Sequence, residues 1–173
     1  MQIQCPPDCV WLASARDHPP AVAVRQQQRD IGLLVNFMRD LNERQSHVFF
    51  LISTFITGYQ PAELHPLIDA DVAEATEALA ATYETAVRGV IYEHRPASLP
   101  ADRLATAIKP VLVEAGKNLG TAFERDAAVV LRRIAEAVRE VAAQAPAGPE
   151  APKDQRRAFL DLLGRVIKRP DPV

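Results

Sequence analysis

Apolar positions recur along most of this chain at the three-and-four spacing of amphipathic helices, and proline-rich runs cut that pattern into segments. The most apolar run, NERQSHVFFLISTFITGY over residues 42–59, is read as the central helix on which the others pack. Asn42 followed three residues later by Gln45 makes a capping box, so helix is predicted from Glu43. Gly58 stands where a left-handed residue closes a helix, and Pro61 forbids continuation, which predicts an end near Thr57. Val48, Leu51, Ile52, Phe55 and Ile56 keep helical spacing, while Phe49 and Phe50 widen the apolar surface and predict burial on several sides. A strand over VFFLI is the competing reading, since phenylalanine and β-branched residues favour sheets, but the two end signals favour the helix.

Before this run, Ile31, Leu34, Met38 and Leu41 form a stripe whose short connection to residue 43 predicts two antiparallel neighbours. After it, Asp71 with Glu74 opens a long helix whose seam is Val72, Thr76, Leu79, Tyr83, Val87 and Val90, ending near Glu93. The turn EHRPASLP leads through Ser98 and Pro100 into a helix carrying Leu104, Ile108, Val111, Leu112 and Ala115, with Pro110 predicted to kink it. Thr121 with Glu124 then caps a helix with Phe123, Ala127, Val130, Leu131, Ile134, Val138 and Val141 on one face. The expectation is an all-α fold: a bundle of about five helices over residues 21–144, behind an irregular N-terminal arm over 1–20. A Pro/Ala linker over 145–153 tethers a C-terminal amphipathic helix over 154–169, lined by Phe159, Leu160, Leu163, Val166 and Ile167.

A chain of 173 residues suits one core, and scarce glycine with abundant alanine, leucine, glutamate and arginine favours helix throughout. The net charge of −2 demands neither nucleic acid nor a membrane surface, and no leader pattern opens the chain, so the expected location is cytoplasmic. Residues 42–59 meet Ser53 and Thr54 and stop at Gly58, short of the ~20 apolar residues of a membrane span.

Chemistry has few places to sit. Cys5 and Cys9, both in the first nine residues, flank Pro6 and Pro7 at a tight bend, and His18 is the nearest further ligand. Two thiolates and one imidazole fall short of the four ligands of a structural zinc site, so zinc binding is expected to be weak or nil. The runs QIQCPPDCVWLASARDHPP and GVIYEHRPASLPADRLA resemble an uncharacterised bacterial family of small helical proteins whose front end is a CxxC pair followed by CPxDC, a zinc-ribbon-like arrangement. The resemblance implies no activity. It makes Cys5 and Cys9 the second half of a four-cysteine zinc site, whose first half lies upstream of an assigned start or has decayed.

Tyr92, Glu93, His94 and Arg95, with Asp102 and Arg103 across the turn, form the densest polar cluster, and a histidine beside a carboxylate suits general acid–base chemistry. The same residues also suit a structural role, with His94 and Arg95 meeting a helix C-terminus. Glu43 and His47 share a helix face, but the paired Glu-x-x-His motifs of a di-iron bundle are missing, as are phosphate loops, HExxH and G-x-S-x-G. The reading that results is a non-enzymatic interaction or regulatory module whose protein partner, or second copy, is met through the C-terminal helix. An enzyme using residues 92–103 is the alternative. A nucleic-acid binder ranks third, because acids are interspersed among the arginines and aromatics are sparse.

Overall fold

A computed structural model of the chain describes residues 10–61, 66–119, 122–144 and 157–167, without the side chains of residues 10–21, 23, 118 and 119. Among these, six α-helices and no strand occur: α1 (Val10–Phe37), α2 (Glu43–Gly58), α3 (Asp69–Val87), α4 (Leu99–Leu119), α5 (Phe123–Gln144) and α6 (Ala158–Val166). The all-α expectation holds. None of these helices is long and apolar enough to cross a membrane.

The hub is α5. It packs most extensively along α3 and also meets α1, α2, α4 and α6. All seven of its expected apolar positions, from Phe123 to Val141, are buried, with Ala135 and Ala137 widening the face. Gly116 of α4 admits the Phe123 ring, because a Cβ there would lie 3.0 Å from a ring carbon. Phe123 in turn meets Tyr83 of α3 edge-on, with ring centroids 6.4 Å apart.

The run over 42–59 is thus one member of the bundle rather than its centre. Its capping box forms as expected, with Gln45 N donating to Asn42 Oδ1 at 2.9 Å and Asn42 N donating to Gln45 Oε1 at 3.1 Å. Phe49, Ile52 and Ile56 are buried, but Leu51 and Phe55 lie at the margin of the core and Phe50 faces solvent, because neighbours cover only one side of α2.

Helix α1 starts at Val10, so residues 10–20, expected to be irregular, are helical, while residues 1–9 lie outside the described residues. Pro19 and Pro20 fall inside this helix. Its buried face is also shifted by one position. Asp30, Leu34 and Phe37 point inward while Ile31 is exposed, and α1 packs on α6 and α5 rather than along α2.

Helix α3 begins at Asp69, where Asp71 Oδ2 accepts from Ile68 N at 3.2 Å, and ends at Val87, short of the expected Glu93. Gly89, with φ of 79°, takes the left-handed conformation that closes it, so Val90 leaves the seam and is exposed.

The tail helix docks on the bundle. Phe159, Leu160, Leu162 and Leu163 are buried against α1, α2, α3 and α5. Two carboxylates from other helices hold it. Asp69 accepts from the amides of Phe159 and Leu160 at 2.9 Å and 3.1 Å, closing the N-terminus of α6, which has no side-chain cap of its own. Asp30, buried in α1, takes the Arg165 guanidinium at 2.6 Å and 3.2 Å. The expected cap Asp154, the linker over 145–153 and the capping residue Thr121 lie outside the described residues.

Candidate functional site

The expected metal ligands Cys5 and Cys9 lie outside the described residues, and His18 falls within α1 in the stretch whose side chains are not described. Among the described residues no group of three or more metal-binding side chains converges. Glu43 and His47 are both exposed on α2.

The residues 92–95 belong instead to a strap. After Gly89 the chain turns back and runs extended beside α3 toward that helix's N-terminal end, before α4 begins. Helix α3 supplies the fastenings in order along its face. The Thr85 hydroxyl lies 3.3 Å from Tyr92 O, Thr82 Oγ1 accepts from His94 N at 2.9 Å, and Glu74 Oε1 accepts from Ala97 N at 2.5 Å and Ser98 N at 3.0 Å. Thr82 also donates to the Ala78 carbonyl of its own helix, as helical threonines do, so its oxygen serves both elements, whereas the single Thr85 proton lies nearest its own helix's Thr82 carbonyl, at 2.8 Å. Burial disfavours the Glu74 charge, yet the amides of Ser98 and Ala97 and the Ser98 hydroxyl outweigh it and hold the carboxyl below its ordinary value. Ser98 Oγ then accepts from Ala101 N at 3.3 Å and opens α4.

Within the strap, Glu93 is ion-paired with Lys109 of α4, with Arg95 3.8 Å from the same oxygen, and the Lys109 hydrogen bond holds its carboxyl below the ordinary range. The His94 ring packs edge-on against Tyr92 at 4.7 Å, and its Nε2 is buried without a hydrogen-bond partner. Glu93 is turned to two cations, and no hydrogen bond joins it to His94 among the described residues. Arg103 sits exposed on α4, beyond the strap's end.

The strap's first residues present apolar side chains to solvent, ahead of the exposed Glu93 and Arg95. Val90, Ile91 and Tyr92 are exposed, and Ile91 is as open as an isolated side chain. They form one side of a groove of about 320 Å³ whose other side is Leu79, Tyr83 and Ala86 of α3 and Val113 of α4, with Glu93 and Lys109 also in its lining. Sequence reasoning placed Val90 in a helical seam and passed over Ile91. The signal was there in GVIY, a glycine followed by three apolar residues just where the helix loses its period.

A larger groove, about 560 Å³, lies beside α3 and α5 and is lined by Arg88, Arg125, Arg132 and Arg133 together with Asp40, Glu84, Glu136 and apolar residues. Two of these arginines serve the fold. Arg132 forks onto Glu84 at 2.8 Å and 2.9 Å and reaches Glu77 at 3.2 Å. Arg133 donates to the Phe37 carbonyl at 2.9 Å, lies over the Phe37 ring and pairs with Glu140 at 2.7 Å. No family model matches the chain, and no curated protein or solved structure is found to be similar to it, so its function is argued from its own residues.

Proposed function

We propose that the protein is a non-enzymatic helical interaction module that meets a protein partner through the strap over residues 90–93 and the groove beside it. One observation carries this reading: Ile91 is fully exposed on a segment whose neighbours are fastened by side chains of α3 and α4. A loose loop would let such a side chain fold onto the groove next to it. Here the fastenings on Glu93 and His94 keep it exposed at the rim of the groove it helps to line, and an apolar side chain held in water at the edge of an apolar hollow marks a surface for a partner. Helix α6, the surface expected to meet a partner, supports this reading less well, since its apolar stripe is buried within the chain.

A photo-crosslinking amino acid at position 91, introduced into the full chain in its native cells, tests the proposal. Specific crosslinks to a protein, lost when Val113→Asp is added, are expected. Absence of any protein crosslink refutes it. The observation favouring the enzymatic alternative is the unpartnered, buried Nε2 of His94. Under that alternative His94→Gln abolishes a turnover that Ile91→Asp leaves intact.

A further inference from the structure

We infer that the groove beside α3 and α5 is a binding site for a small amphipathic anion, an apolar body that ends in a carboxylate or a phosphate. The site shares no lining residue with the groove at the strap and does not rest on the interaction reading. Its lining comes from the end of α3, from α5, and from residues 40 and 41 that follow α1. Leu41, Val87, Ala128 and Val129 make much of it apolar, and Val87 and Val129 stay 40% and 42% exposed there. At about 560 Å³ the groove has the size of a small-ligand site, and such sites are mostly apolar with a few convergent polar groups.

Ion pairing sorts the charges around it. Arg132 is taken by Glu77 and Glu84, and Arg133 by Glu136 and Glu140. Arg88 and Arg125 are exposed and have no ion pair or hydrogen-bonded side chain among the described residues. The pairs Glu84 with Arg132 and Glu77 with Arg139 set α3 and α5 antiparallel, so Arg88, just past the end of α3, and Arg125, in the first turn of α5, share one end of the groove. Val87 and Arg125 also border one smaller hollow, which brings the two helix ends together there. A cation suits the C-terminus of α3, but in the first turn of α5 it meets the positive end of the helix dipole. An anion held by both guanidinium groups relieves that opposition, and their forked N–H donors match the oxygens of a carboxylate or phosphate. Glu124, next to Arg125 in sequence, lines the smaller hollow. Within the groove, Asp40 is the carboxylate left unpaired among the described residues, so two free cations stand against one free anion and the balance favours a single negative charge on the ligand.

Titration of the full chain with octanoate, octyl phosphate, octanol and octylammonium, followed by NMR of the Leu41, Val87 and Val129 methyl groups, tests the inference. Both anions are expected to bind at those methyls at millimolar concentration or below, and the tighter of the two identifies the head group. Octanol and octylammonium should bind about tenfold more weakly, for want of charge-assisted hydrogen bonds to the arginines. Replacing both arginines, Arg88→Gln with Arg125→Gln, should weaken octanoate by about the same factor. Both side chains are exposed, so thermal melts of this variant should match the parent and show that folding is intact. Ile91→Asp, in the separate groove at the strap, should leave octanoate binding unchanged. Octanol binding as tightly as octanoate, indifference to the double substitution, or no anion bound at millimolar concentration overturns the site. An apolar anion can also be a lipid, and cosedimentation with phosphatidylglycerol vesicles separates the two sources. Vesicles that retain the parent and release the double variant would assign the groove to a membrane head group and overturn the free ligand.

Discussion

Replacing Asp69 with alanine removes the group that closes the N-terminus of α6 from a different helix. Both carboxylate oxygens are engaged, on the amides of Phe159 and Leu160, and Arg157 at the cap position offers no substitute. A buried amide left without an acceptor costs about 1–3 kcal/mol, so two come to about 2–6 kcal/mol. Burial acts in the other direction: it disfavours the carboxylate and raises the Asp69 pKa despite those two amides, so deleting the group recovers part of that cost. The expected net loss is about 2–3 kcal/mol. Because a helix of nine residues is unstable alone, the loss should appear as undocking of α6 before the bundle opens. Native-state hydrogen exchange over residues 159–163 reads this directly, and about 30- to 100-fold faster exchange is expected, each 1.4 kcal/mol being a factor of ten. Asp69→Asn, which keeps one acceptor oxygen without the charge, should lose less than half as much. Exchange in Asp69→Ala within twofold of the parent would refute the claim that this carboxylate closes α6.

The two carboxylates that hold α6 respond to pH with opposite sign. The Arg165 hydrogen bond is the main reason Asp30 is held below its ordinary 3.8, so its contribution is complete above that value and is lost as pH falls through the depressed one. The Asp69 pKa is raised, chiefly by burial, so its contribution is complete below the ordinary range and is lost as pH rises through the raised value. Acid-induced loss of α6 protection is therefore expected to vanish in Asp30→Asn and persist in Asp69→Asn, as denaturant midpoints at descending pH will show. In α2, Phe49→Ala should cost about 3–5 kcal/mol and Phe55→Ala clearly less, because only Phe49 is fully buried; equal losses in denaturant melts would contradict that packing. Thr82→Val keeps the shape of the strap's middle fastening but leaves the His94 amide without its acceptor, and should cost about 1–2 kcal/mol with faster exchange at that amide. Unchanged exchange there would mean that the strap does not depend on the Thr82 hydroxyl.

Helical period and capping chemistry are local, and what they govern was legible. The box at Asn42 and Gln45 and the buried face of α5 follow from spacing alone, with no knowledge of neighbours. The hub was misread because the apolar density of α2 suggested the centre, whereas α5 reaches five neighbours with a face built largely of alanine, valine and leucine. Asp30 explains the shifted stripe of α1. A carboxylate at a core-facing position reads as solvent until its partner is known, and that partner, Arg165, is 135 residues away. Asp69 was hidden in the same way. Its charge suits a helix N-terminus, but the helix whose amides it caps is α6, not its own, where Asp71 does that work. In the strap, the polar residues Glu93 and His94 drew attention as chemistry, while the exposed Ile91 between them and Gly89 carried the more informative anomaly.

Because Asp30 and Asp69 wait for groups that lie at the far end of the chain, the order of synthesis bears on this fold. Helices α1 to α5 are complete before residues 159–165 leave the ribosome, and domains begin to fold as they emerge. Until then, the seat of Phe159, Leu160 and Leu163 stands open and a buried carboxylate lacks its cation. A nascent or prematurely terminated chain lacking α6 therefore displays an apolar trough that the finished protein conceals. That trough gives chaperones and proteases a physical mark by which to tell the unfinished molecule from the finished one.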